Sequence, residues 1–147
     1  MTVSTTPPRN APALTRATTW FAVAVIVVFG ARAVGTLAAG ADWSLPGTGW
    51  RSLWQLAVVA VAVTTLARPG ARFIGVAAIG AVYAAATLAE LAGAMPLLGA
   101  IPVDMRDRWV HPLVAILAAA ALLVDHFRAR QSAVGADRRA APTVTRS

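Results

Sequence analysis

The 147-residue chain has no cysteine and no lysine. Without a thiol, disulfides, thiolate zinc sites, iron–sulfur clusters and cysteine nucleophiles are all excluded. The 13 basic residues are therefore all arginine, which together with the alanine content points to a GC-rich coding bias. Charge itself is scarce, since 13% of residues carry one, against roughly a quarter in soluble domains. Histidine is limited to His111 and His126. They fall on one predicted helix, ~22 Å apart along its axis, so they can share neither a metal ion nor a haem. No P-loop, nucleophile elbow or glycine-rich dinucleotide fingerprint occurs. Nor can a nucleophile–base pair be read from the residues. The chain is expected to be non-enzymatic, with no metal and no cofactor.

Apolar residues make up 58% of the chain, and the mean hydropathy is +0.66. A bilayer-crossing helix needs about 20 mostly apolar residues. Four segments qualify, at about 18–39, 50–67, 73–94 and 109–127. Four such stretches leave too little polar surface to cover them in water. The expected fold is all-α, a four-helix transmembrane bundle over residues 18–127. Residues 1–17 and 128–147 are rich in Thr, Pro, Ala, Gly, Ser and scattered Arg, and are expected to be disordered tails. The first span is expected to remain in the protein, because it is long for a signal peptide and carries Arg32.

Arginine placement gives a direction. Arg9 and Arg16, Arg68 and Arg72 of the turn RPGAR, and Arg128, Arg130, Arg138, Arg139 and Arg146 share one side. Arg51, Arg106 and Arg108 lie on the other, matched by Asp42, Asp104 and Asp107. Both termini are expected in the cytoplasm of a multi-pass membrane protein. Trp43, Trp50, Trp54 and Trp109 mark the outer boundary and Trp20 the inner one, as headgroup-level anchors. The net charge of +7 follows from this topology. Nucleic acid is not an expected partner, because no basic helical face or reading motif is present.

An internal repeat is visible at a constant offset of 56. It pairs Arg16 with Arg72, Pro46 with Pro102, and Gln55 with His111. Two packed hairpins related by a pseudo-two-fold along the membrane normal are expected. Glycines and alanines would let the helices approach closely.

The polar exceptions inside the spans are candidate site residues. Arg32 and Glu90 are both placed in the outer half. They either line an outer cavity or form an ion pair locking the first span to the third; alternatively Arg32 snorkels outward. Tyr83, Thr87 and Glu90 share a helical face at i, i+4 and i+7, which faces the bundle and offers interhelical hydrogen bonds. His111 lies one turn inside the fourth span, with Pro112 in its first turn, Asp107 four residues before it and Glu90 at similar depth. The stretch VDMRDRWVH, 103–111, caps that helix: Asp104 and Asp107 suit its positive N-terminal end. Arg32, Glu90, His111, Asp107 and Tyr83 form the candidate polar site, read either as an outward acid/base or ligand site or as a cap with a satisfied histidine.

The stretches RFIGVAAIGAVYAAATLAELAG and LLGAIPVDMRDRWVHPLVAILAAAALL resemble domain of unknown function family 4383, small four-span proteins of GC-rich bacteria. That family's loop ends in Pro-Val-Asn, two residues, Asp-Asn-Trp-Leu-His. Pro102, Val103, Asp107, Trp109 and His111 match, while Asp104 and Arg108 stand where asparagines are usual. An earlier Asn-Leu-x-His-Leu resembles SLWQL at 52–56, with Ser52 and Gln55 departing. The resemblance implies a bacterial cytoplasmic membrane and adds no chemistry. The general hairpin layout resembles the quinone-linked DoxX-like proteins more weakly. The function expected is an accessory, structural or envelope-sensing one. The alternatives are a small proton-coupled transporter or a quinone- or lipid-binding subunit. The partners are the bilayer and either a second copy or another membrane protein.

Overall fold

The structure is a computed structural model that describes residues 16–93 and 97–140, with side chains to 135. It is an all-α four-helix bundle: α1 (Ala17–Ala38), α2 (Thr48–Ala67), α3 (Arg72–Leu91) and α4 (Asp107–Ala140). All four are long and apolar enough to cross a membrane. Large apolar side chains cover the outside, among them Val27, Ile74, Leu88, Ile116 and Leu123, as a lipid-facing surface requires. Pro69 opens a single 3-10 turn, Pro69–Ala71, that reverses the chain between α2 and α3.

The fourth helix departs from expectation. It runs past Phe127 to Ala140, so 128–140 are helical and not a disordered tail. RARQSA supplies good helix formers, and the lone Gly135 costs too little to stop them. Residues 1–15 and 141–147, where the rest of the expected tails falls, lie outside the described residues. Pro112 sits in the second turn of α4 and not the first. There its missing N–H removes one rung from the helix's own ladder.

α1 packs most closely on α2, and α3 on α4. Phe21, Val25, Phe29, Val58, Val76, Ile79, Tyr83 and Val114 fill the centre with the small Ala22, Ala62, Ala118 and Ala121. Two glycines set the spacing. A Cβ on Gly80 would lie 2.8 Å from the Ala118 Cβ, and one on Gly75 only 1.9 Å from the Thr65 hydroxyl. Gly75→Val is expected to destabilise by about 1–3 kcal/mol, the usual cost of overpacking. Adding Thr65→Ala should recover part of the loss, read as thermal stability in detergent; no recovery would place the strain elsewhere.

α1 has no side-chain cap of its own, because its N-cap position is Arg16. The cap comes from α4. Asp125 accepts hydrogen bonds from the backbone N–H groups of Ala17 (2.8 Å) and Thr18 (3.1 Å) and from the Thr18 hydroxyl (2.6 Å). This satisfies orphan donors, places a carboxylate at the helix's positive end and ties the first span to the last. Asp125→Ala is expected to cost about 1–2 kcal/mol. Thermal melts should show it, and Asp125→Asn should retain much of the bonding.

The internal repeat is carried by the buried faces, in two registers. Gln55, Val58, Ala62 and Thr65 of α2 match His111, Val114, Ala118 and Ala121 of α4 at an offset of 56, and all are buried. Thr18, Ala22, Val25 and Phe29 of α1 match Arg72, Val76, Ile79 and Tyr83 of α3 at 54. The constant offset read from landmarks therefore does not hold for the first pair of helices. The second hairpin carries two more residues between its matched faces, so Arg16 is not the structural counterpart of Arg72. Equivalent residues meet across the pseudo-axis: the rings of Phe29 and Tyr83 lie 5.7 Å apart.

Candidate functional site

The polar residues converge at the end of the bundle that carries the two longer loops. Asp104 caps α4 there, accepting from the backbone N–H groups of Arg106 (2.9 Å) and Asp107 (3.1 Å). In return the Asp104 N–H donates to the Asp107 carboxylate (3.2 Å), so the pair works as a capping box. The capping read from VDMRDR is therefore present in reciprocal form.

Arg51, near the start of α2, closes this loop onto the bundle. Its guanidinium lies 3.1 Å from Asp104 and 3.2 Å from Asp107, and donates twice to the Pro102 carbonyl (3.2 and 2.7 Å). Arg51 and Asp107 stand 56 positions apart, so this too is a contact between repeat equivalents. Burial works against a charged Asp104. The N–H groups of Asp107 and Arg106 and the Arg51 guanidinium outweigh it and hold the carboxyl below its ordinary 3.8. A lowered folded value means stability present above the unfolded value and lost below it. The loop clasp is thus expected to be complete above pH 3.8 and to weaken as the pH falls further. Proteolysis within 97–106 over an acid series would report it.

Glu90 does not pair with Arg32. Its carboxylate bonds the Nδ1 of His111, both side chains are buried, and the contact joins α3 to α4. Tyr83 is buried one face-length below, with its ring 5.3 Å from the His111 imidazole. Thr87, expected to bond between helices, instead donates to the Tyr83 carbonyl of its own helix (2.8 Å). Arg32 is half-buried on α1, and among the described residues no carboxylate pairs with it. Of the candidate residues, Glu90, His111 and Tyr83 are in one cluster, and Asp107 belongs to the Arg51 clasp. Arg32 stands alone.

Between these groups lies a cavity of about 380 Å³. Arg32 and Phe29 of α1 border it, with Trp54 and Gln55 of α2, Tyr83, Ala86 and Ala89 of α3, and Asp107 and His111 of α4. Leu97, Leu98 and Ile101 of the second loop also line it. No family model, curated protein or solved structure matches this chain. The site's chemistry therefore rests on its own residues.

Those residues make a mostly apolar chamber with a few fixed polar groups, the usual composition of a small-molecule site. Among the described residues no cluster of His, Asp and Glu is large enough to hold a metal ion. Among the lining residues that the sequence does not single out as site residues are Arg51 and the pair Trp54 and Gln55. Trp54 reads as a headgroup anchor but is half-buried and lines the chamber, whereas Trp20, Trp43, Trp50 and Trp109 are exposed. Gln55 is buried in the chamber wall. The repeat carried the signal for both: Trp54 and Gln55 are the equivalents of Val110 and His111, which also line the cavity.

Proposed function

We propose that this is a non-enzymatic multi-pass protein of a bacterial cytoplasmic membrane that holds a small amphipathic molecule in its loop-end chamber, as an accessory or envelope-sensing component. The chamber carries this reading. Helices rich in alanine and glycine elsewhere close on one another, as Gly75 and Gly80 do, yet about 380 Å³ stays open beside a fixed polar cluster. Positive-inside placement of arginines supports both termini in the cytoplasm and the chamber at the outer leaflet. The pattern PVDMRDRWVH supports kinship with domain of unknown function family 4383. Mass spectrometry of small molecules extracted from protein purified in mild detergent tests the reading. A single species should copurify with the wild type and be lost from Ala86→Trp, which fills the chamber. Equal recovery from both would sink it.

A second reading, a proton-coupled carrier, is favoured by the buried Glu90–His111 pair, since an intramembrane carboxylate–imidazole contact is the chemistry of a proton relay. Proteoliposomes loaded with a pH-sensitive dye would show proton flux through the wild type and none through Glu90→Gln. No flux through the wild type would remove this reading.

A further inference from the structure

Around the chamber each carboxylate is held in a direct contact, and Arg32 is not. Asp107 is engaged by Arg51 and by the Asp104 N–H, and Glu90 by His111. Arg32 has no such partner among the described residues, although it borders a cavity whose other walls are mostly apolar. An arginine at membrane depth is costly and is normally matched by a counter-charge. The other guanidinium in the lining, Arg51, is taken up by Asp104 and Asp107, so Arg32 alone is left for a ligand; its planar fork suits a carboxylate, and one such group suits a monoanion better than a dianion.

The chamber also has a neighbour. An open surface depression is bordered by Trp50 and Leu53, both exposed on α2, and shares Trp54, Leu98 and Ile101 with the chamber. Leu98 is 86% exposed and holds φ 54, a left-handed conformation that bulky residues seldom adopt. These shared side chains are the partition between the chamber and the lipid-facing side of α2. The route for an apolar chain entering from the bilayer would run past these side chains.

From this we infer that the chamber takes a long-chain carboxylate from the membrane, its head on Arg32 and its chain against Phe29, Trp54 and the alanines of α3. This assignment rests on the reading of the chamber as a ligand site. Radiolabelled palmitate is the probe, bound to the full chain in nanodiscs of neutral lipid, with hexadecanol as the uncharged competitor of equal length. Palmitate should bind saturably, and hexadecanol should compete at least about tenfold more weakly, the worth of one charge-assisted hydrogen-bonded contact. Arg32→Gln should erase that preference and leave hexadecanol binding intact, Arg32→Lys should keep most of it, and Ala86→Trp should abolish both. If hexadecanol competes equally with the wild type, or the preference survives Arg32→Gln, the carboxylate assignment falls while the chamber remains a ligand site. If neither probe binds saturably, or Ala86→Trp has no effect on binding, the long-chain carboxylate assignment falls, and the chamber reading is decided separately by the copurification experiment.

Discussion

Arg51→Ala is expected to be the most damaging single change at the loop end, costing about 3 kcal/mol, the lower end of the range for breaking a buried ion pair. Arg51 joins α2 both to the segment before α4 and to the first residue of α4, through the Asp104 and Asp107 carboxylates and the Pro102 carbonyl. Removing it leaves Asp107, with a side chain 9% exposed, without its counter-ion. The half-exposed Asp104 loses less, because water replaces its partner. Arg51→Lys should recover only a fraction, since an ammonium cannot reach the carbonyl and both carboxylates in one plane. The double change Arg51→Met with Asp107→Leu should be more stable than Arg51→Ala alone, because no buried charge is then left unpaired. Thermal unfolding in detergent measures all four proteins. A loss within about 0.5 kcal/mol for Arg51→Ala, the range of ordinary surface changes, would show the clasp to be ornamental.

The membrane bundle was legible because its physics is local and repetitive: twenty-residue apolar runs, proline and glycine in the turn, arginines sorted to one side. The α4 cap was legible for the same reason, since Asp104 and Asp107 act on their own helix. Pairings between helices were not. From depth alone, Glu90 had both Arg32 and His111 as partners, and rotation of α1 about its axis decides between them. Asp125 gives no local signal in the sequence, because its work is done on backbone 108 residues away. Arg51 was counted for topology only. The repeat held more than was read from it. Once α2 and α4 are aligned at 56, Arg51 falls opposite Asp107 and Gln55 opposite His111, and both pairs border the chamber. The full length of the fourth helix is hidden in the sequence because the polar composition of 128–140 is that of a disordered tail, whereas arginine, alanine and glutamine also propagate a helix already nucleated in the apolar span before them.

The second large effect is expected at Glu90 and His111. Glu90→Ala should cost about 3 kcal/mol, because it leaves His111 buried against Tyr83 without its partner. The informative measurement is a pair of double-mutant cycles on thermal stability. Glu90→Gln with His111→Gln should show a coupling of about 2 kcal/mol, as residues in direct contact do. Glu90→Gln with Arg32→Gln should be additive to within about 0.5 kcal/mol, because no ion pair joins them. The reverse result would mean that α1 turns its arginine onto Glu90 and that the charges serve to lock the first span to the third. The expected result separates the two polar groups by role. Glu90 and His111 then hold α3 to α4 and stiffen one wall of the chamber. Arg32, contributing little to the fold, is left with a charge that only a bound anion, the lipid headgroups or water can answer. A small effect of Arg32 on stability would therefore be as informative as the large effect of its neighbours, because it would leave the proposed bound carboxylate to be tested against headgroups and water as the answer to that charge.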